Sequence, residues 1–203
     1  NHVVANSDSY KVTYTDGKEV KATLVGSDEY SDIAVLKVES REGYDKVELG
    51  NSNNLKPGDT TFVVGAPLNN EYSWTVTRGI ISGKERLVEI STTQQSSSDY
   101  VISVLQTDAA VNSGNSGGPL CNANGEVIGV VSAKISGAGV EGMGFAIPIE
   151  TAKEKADQII NGKNTTYPYL GISMMNLSDL RNYPNYYNYL KNTKAESGVV
   201  VID

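Results

Sequence analysis

The chain has one cysteine, Cys121, and one histidine, His2, in 203 residues. A single cysteine excludes an internal disulfide. With so few thiols and imidazoles, a cysteine-rich zinc site and a His-x3-His metal pair are excluded too. Cys121 is expected to pack as a small apolar residue rather than act as a nucleophile. Long hydrophobic runs are also missing. The longest, such as Val199-Val200-Val201-Ile202, fall far short of the roughly 20 residues that span a bilayer. No signal peptide or anchor is visible, and the start of the chain reads as truncated. Positive charge is scarce: 17 Lys and Arg stand against 24 Asp and Glu, a net charge of −7. An acidic chain without a basic cluster argues against nucleic acid as a partner and favours solubility.

What is present is a series of short alternating or apolar segments separated by turn signals. Residues 10–14, 19–25, 32–38, 61–64, 74–82, 100–105, 126–134 and 144–147 read as strands. Between them lie Thr15-Asp16-Gly17-Lys18, Lys56-Pro57-Gly58-Asp59 and Asn124-Gly125. Many short strands with polar turns predict an all-β barrel or sandwich. One helix is expected over residues 151–161. Thr151 and Glu154 would form its capping box, Ala152, Ala156, Ile159 and Ile160 its apolar face, and Gly162 its stop. A polar link follows at residues 163–166. Its sequon Asn164-Thr165-Thr166 reads as linker rather than glycosylation site. A second unit then begins, so the expected domains are residues 1–166 and 167–203.

The most informative stretch is Asn112-Ser113-Gly114-Asn115-Ser116-Gly117-Gly118-Pro119. Its three glycines let the backbone bend tightly around Ser116 and let a substrate carbonyl approach, as a nucleophilic hydroxyl requires. The N–H groups of Gly114 and Ser116 can serve one small space as an oxyanion hole. A serine needs a base, and His2 is the only imidazole. A terminal histidine by itself is usually a solvated residue. Asp32, however, opens the apolar run Ile33-Ala34-Val35-Leu36, a poor place for an unpaired carboxylate. An imidazolium would suit it; the alternative is a strand-start residue bonding local N–H groups.

At these residues the chain resembles the HtrA (DegP-like) family of trypsin-like serine proteases. The resemblance is carried by Asn1-His2-Val3-Val4, Asp32-Ile33-Ala34-Val35-Leu36-Lys37, Val64-Gly65-Ala66-Pro67 and Thr77-Arg78-Gly79-Ile80-Ile81-Ser82. Further on it is carried by Gln106-Thr107-Asp108-Ala109-Ala110, Gly114 to Pro119, and Gly144-Phe145-Ala146-Ile147-Pro148. The order histidine, aspartate, serine is that of the trypsin-like enzymes. The resemblance implies two antiparallel β-barrels, the first N-terminally incomplete, with the active site between them. It implies Ser116 as nucleophile, His2 as general base and then acid, and Asp32 as the orienting carboxylate, with Gly114 and Ser116 as oxyanion donors and no cofactor. Asp108 is then structural. Asn115 stands where trypsin-like zymogens carry an aspartate, so activation by an N-terminal ion pair is not expected. Ala110 takes the place of the trypsin specificity aspartate, which predicts small to medium aliphatic residues at the cleaved position. The strand residues Val131, Ser132 and Ala133 are expected to offer backbone groups to an extended substrate. The segment 134–143, with Gly137, Gly139 and Gly142, would flank the specificity pocket, either as a mobile loop or as a plain glycine-rich turn.

In the second unit, Tyr169-Leu170-Gly171-Ile172 resembles the carboxylate-binding loop of a PDZ domain, and Gly198 to Ile202 a later strand of one. That implies Leu170, Gly171 and Ile172 as the loop, in a PDZ that is only partial here. The tyrosine-rich stretch from Tyr183 to Tyr189 reads as locally packed. The family resemblance implies unfolded polypeptides as substrates, peptide C-termini as PDZ ligands, a homotrimer, and a location outside the cytoplasm. A non-catalytic peptide-binding or chaperone-like module on the same fold, or a fragment inactive through truncation, is the alternative.

Overall fold

A computed structural model of the chain describes every residue except 40–42, 44, 69, 91–99, 135–141, 164–166, 168–171, 173, 181–196 and 202–203. It divides into two compact units, Asn1–Thr165 and Thr166–Asp203.

The larger unit opens with a three-stranded antiparallel sheet of β1 (Tyr10–Thr13), β2 (Glu19–Asp28) and β3 (Ile33–Lys37), in that order. The first hairpin turns at Gly17, whose φ of 79° suits a residue without a Cβ. Lys18 N–H donates to Asp16 Oδ1 across the same turn. The register of β2 against β3 shifts between Leu24 and Gly26, and the bend lets a helix approach. A Cβ at Gly26 would stand 2.9 Å from Ile159 Cγ2.

The remaining strands of this unit close a barrel in the order β4-β5-β6-β9-β8-β7. They are β4 (Thr60–Gly65), β5 (Thr75–Ile90), β6 (Tyr100–Thr107), β7 (Pro119–Asn122), β8 (Val127–Val131) and β9 (Gly144–Pro148). Their inward side chains, among them Val63, Ile81, Leu105, Leu120, Ile128 and Val131, are almost fully buried together. A second core joins Ile33 of β3 to Cys121, Val127, Ile147, Ile149 and Ala152. Cys121 lies buried there, and burial pushes its thiol above the usual pKa.

Four sequence expectations need correction. The strand β7 was not among the expected strands; it is only four residues long and follows Gly117-Gly118 directly. The strand β5 runs eight residues past Ser82. The polar Gly83-Lys84-Glu85-Arg86 is not a turn but a pair of register shifts, with Glu85 at φ 52°. The helix α1 spans Ile149–Ile160, entered directly from β9 with Pro148 as an N-cap that makes no side-chain bond. Thr151 is therefore inside the first turn, and the Thr151–Glu154 capping box does not start the helix. Glu150 instead accepts from the Ser52 N–H at 2.8 Å and from the Ser52 hydroxyl. Burial raises the pKa of Glu150, but these bonds outweigh it and leave the pKa lowered. Ile160 also departs from the expected apolar face and is exposed. The stop at Gly162 is as expected. With φ 67° it donates to Ile159 O while Lys163 N–H donates to Gln158 O, a Schellman closure.

The smaller unit contains β10 (Met174–Asn176), paired antiparallel with β11 (Val199–Val201), and the single turn α2 (Leu177–Leu180). Leu170, Gly171, the sequon and the stretch from Tyr183 to Tyr189 lie outside the described residues. Ile172 is described, and its side chain is exposed.

Candidate active site

Ser116 sits where the barrel's glycine turn meets the end of β4. Gly114 has φ 98°, and a Cβ on it would stand 2.1 Å from the Ala66 carbonyl oxygen. A Cβ on Gly118 would stand 2.2 Å from the Val64 carbonyl oxygen. The turn is stitched by Leu68 N–H to Ser113 O, Gly118 N–H to Asn115 O, and Gly117 N–H to Val131 O. Neither the Gly114 N–H nor the Ser116 N–H meets an acceptor among the described residues. Two unspent donors beside a hydroxyl are what an oxyanion hole needs.

Asp32 closes the turn between β2 and β3, with φ 55°. Aspartate is one of the few side chains that tolerates this left-handed backbone. His2 lies in a single helical turn at the start of the chain, where Val4 and Ala5 N–H groups donate to Asn1 O. Tyr10 pins that turn by donating to Val4 O and Ser7 O. His2 Nδ1 is 2.7 Å from Asp32 Oδ2, and His2 N–H donates to Asp32 Oδ1 at 2.8 Å. A carboxylate only accepts, so Nδ1 carries a proton, and in the neutral form of the ring the lone pair is then on Nε2. The Asn1 amino group stands 3.1 Å from Asp32 Oδ1; in a longer chain it would be a peptide N–H. Burial works to raise the pKa of Asp32. The His2 ring and backbone bonds, together with the Asn1 and His2 charges, overcome it and hold the carboxyl well below the usual carboxylate range.

A third donor reaches the same carboxylate. Ser132, buried just beyond β8, gives its hydroxyl to Asp32 Oδ2 at 2.9 Å. Sequence reasoning placed Ser132 only on a substrate strand. The available signal was a hydroxyl inside an apolar run, which demands a partner. The expected substrate strand is corrected in part. Val131 N–H and O are spent on Gly118 and Gly117, and Ser132 N–H on Phe145 O. Ala133 N–H donates to Ser116 Oγ at 2.9 Å. The carbonyls of Ser132 and Ala133 meet no donor among the described residues.

His2, Asp32, Ser116, Gly117 and Val131 line one cavity of about 600 Å³, which continues between Leu36, Ile149 and Ala152. The structure thus brings His2, Asp32 and Ser116 to one space. The His2 ring bonds Asp32, while the Ser116 hydroxyl is held by Ala133 rather than by the ring. Ala110 does not line this cavity. Its carbonyl accepts from Thr77 Oγ1 at 2.9 Å and from Asn115 Nδ2 at 3.4 Å. Asn115 is buried with its Oδ1 unpartnered against Gly65, where a carboxylate would be far costlier. Asp108 accepts from Ile80 N–H at 2.7 Å, a structural bond. Gly137 and Gly139 of the flanking loop lie outside the described residues.

The sequence profile of the trypsin-like peptidase domain matches residues 1–130. The chain is 45% identical over 184 residues to the Serine protease Do-like HtrA of Bacillus subtilis (strain 168), covering 90% of this chain and 40% of that protein. It is 42% identical over 202 residues to the Serine protease HtrA-like of Staphylococcus haemolyticus (strain JCSC1435), covering 98% of this chain and 31% of that protein. Among solved structures it is similar to the HtrA-type protease AlgW with decapeptide. The TM-score is 0.78 and the identity 36%, covering 100% of this chain and 57% of that one. The chain thus spans 40% or less of the curated relatives it matches here. It belongs to the trypsin-like peptidase family, in which these relatives are HtrA-type serine proteases.

Proposed function

We propose that this chain carries the proteolytic machinery of an HtrA-type serine endopeptidase that acts on unfolded polypeptides. The observation that carries the reading is the run of hydrogen bonds from Ser132 through Asp32 to His2, facing Ser116 across one cavity. In this reading the Ser116 hydroxyl turns from Ala133 towards His2, giving up one bond of about 1 kcal/mol. Its oxygen attacks the scissile carbonyl as His2 Nε2 takes the proton. Asp32 stabilises the imidazolium, and the Gly114 and Ser116 N–H groups receive the oxyanion. His2 returns the proton to the leaving amine, and water then hydrolyses the acyl-enzyme by the same route. Ala110 lies outside this cavity, but by resemblance it stands at the specificity position, and its lack of charge supports small to medium aliphatic cleaved residues such as Val, Ala or Ile. Cleavage mapping on unfolded casein checks this, and mostly Lys or Arg sites would overturn it.

The decapeptide in the AlgW structure supports peptides as ligands. The smaller unit is read as the beginning of a PDZ domain for peptide C-termini, and the protein as a homotrimer acting outside the cytoplasm. A fluorophosphonate probe tests the central reading: it labels Ser116 and leaves Ser116→Ala unlabelled, whereas equal labelling of both removes the nucleophile. The bond from Ala133 N–H to Ser116 Oγ favours a second reading, a peptide-binding module at rest. Lasting capture of unfolded protein without turnover distinguishes it.

A further inference from the structure

The turn that presents Asp32 is itself held by groups outside the set just described. Asp28 and Ile33 face each other in register at the ends of β2 and β3, so residues 29–32 form a four-residue loop with Asp32 as its last member. Asp32 N–H donates back to Glu29 O at 3.3 Å. The last residue of this loop is left-handed, and it is the carboxylate the chemistry uses. Asp tolerates that conformation, and its surroundings decide how firmly it is held there. Two sets of contacts hold the turn. Asp28, itself buried, accepts from both the N–H and the hydroxyl of buried Ser31, at 3.3 and 2.5 Å. From the barrel, Tyr100 at the head of β6 donates its hydroxyl to Glu29 O at 3.0 Å. Its ring meets Tyr30 edge-on, with centroids 5.2 Å apart.

We propose that Asp28, acting through Ser31, is a positioning residue for the Asp32 carboxylate, and that Tyr100 ties the same turn to the barrel that carries Ser116 and Ser132. Asp28 touches neither His2 nor Ser116 by any hydrogen bond among the described residues. Its effect is on the direction in which Asp32 points. Ser132 and His2 both require Oδ2 of Asp32, so a small rotation of the turn weakens two bonds together. The inference rests on the protease reading.

The test is a kinetic double-mutant cycle in the full-length protein. Asp28→Ala lowers kcat by about 10- to 100-fold, the scale of a misplacement near 1 Å, with KM nearly unchanged. Asp28→Asn keeps an acceptor for Ser31 and recovers most of the rate. In an Asp32→Asn background, Asp28→Ala costs less than about twofold, because the group it positions is already gone. A residue that only supports the fold would lower the rate by the same factor in both backgrounds, and that result overturns the proposal. If Asp28→Ala does not fold, Tyr100→Phe serves, since it removes one hydroxyl and leaves the ring pair. It lowers kcat several-fold in the wild type and not in Asp32→Asn; equal factors again overturn the proposal. Fluorophosphonate labelling of the wild type separates the two levels. An unlabelled Ser116 removes the protease reading and this inference with it. A labelled Ser116 with unchanged kcat in the variants removes the inference alone.

Discussion

A Cβ on Gly114 would stand 2.1 Å from a backbone oxygen, whereas one on Gly26 would meet only a side-chain methyl, Ile159 Cγ2, at 2.9 Å. That contrast runs through the two sides of the cavity. On the barrel side, Ser116 is set by backbone against backbone, at Gly114 on Ala66 and Gly118 on Val64. On the side of the three-stranded sheet, Asp32 is aimed by side-chain bonds reaching 30 residues to His2 and 100 residues to Ser132. Excluded volume admits no partial change. Hydrogen bonds can be removed one at a time, and each removal leaves the others in place. The sheet side should therefore give graded losses, and the barrel side abrupt ones.

The largest expected effect is the exception that tests this rule, because Asp32→Asn acts on the tautomer rather than on packing. Asparagine also tolerates φ 55°, so the turn survives. Its amide donates where the carboxylate accepted, the proton moves to Nε2, and His2 cannot act as a base. The expected loss in kcat is about 10⁴-fold, read against Ser116→Ala as the floor. A rate near wild type would remove Asp32 from the mechanism. The same variant has a pH signature. Asp32's pKa is lowered in the fold, so its contribution to stability is complete above the unfolded-state value of about 4. That contribution fades as pH falls from there towards the folded-state value. The stability gap between wild type and Asp32→Asn should narrow in acid; a gap constant from about pH 7 to about pH 2 would contradict it.

Next comes Gly114→Ala. The methyl group has nowhere to go at φ 98° without displacing Ala66, so the turn must move and carry its N–H with it. Losing one oxyanion donor costs about 10²- to 10³-fold in kcat, with KM much less affected. The melting temperature should fall as well. A folded, fully active Gly114→Ala protein would mean that the barrel side is not set by excluded volume.

Ser132→Ala removes one of the bonds that aim Asp32 and leaves His2 bonded. A hydrogen bond to a charged group is worth about 1.5–3 kcal/mol, but the carboxylate keeps its other partners. The expected loss is about tenfold in kcat, graded as the sheet side should be. A loss as large as that of Asp32→Asn would show that the bonds at this carboxylate act as one unit.

The same contrast explains how much the sequence reveals. The tight turn around Ser116 was legible because excluded volume requires glycine at 114 and 118, on either side of it. Asp32 was legible because a carboxylate at the start of an apolar strand is costly without a partner. The hydroxyl of Ser132 on Asp32 was not, since a partner 100 residues away leaves no local pattern. The role of Asp28 was hidden in the same way, because the residue it positions is separated from it by an ordinary-looking turn. The start of α1 was misread because Thr151-x-x-Glu154 is a valid cap wherever a helix begins at Thr151. Here β9 runs straight into the helix and spends Glu150 on Ser52 instead.

The smallest expected effect belongs to Gly26→Ala, the counterpart of Gly114→Ala on the sheet side. Gly26 has no positive φ, and the atom in the way is the Cγ2 methyl of the half-buried Ile159, a side-chain atom rather than backbone. Overpacking of this kind typically costs about 1–3 kcal/mol. The unfolded chain loses freedom when glycine becomes alanine, which returns about 0.4–1 kcal/mol. The net loss should be near 1 kcal/mol, a fall of about 2–4 °C in melting temperature for a chain of this size. The cycle of Gly26→Ala with Ile159→Leu, which carries no methyl on Cβ, locates the cost. If the clash is with Ile159 Cγ2 alone, removing that methyl lowers the Gly26→Ala penalty. If the penalty is the same in both backgrounds, the backbone at the β2 shift is what resists, and the sheet side is stiffer than its hydrogen bonds imply. Turnover stays at the wild-type level in either case, because no atom that aims Asp32 or Ser116 moves.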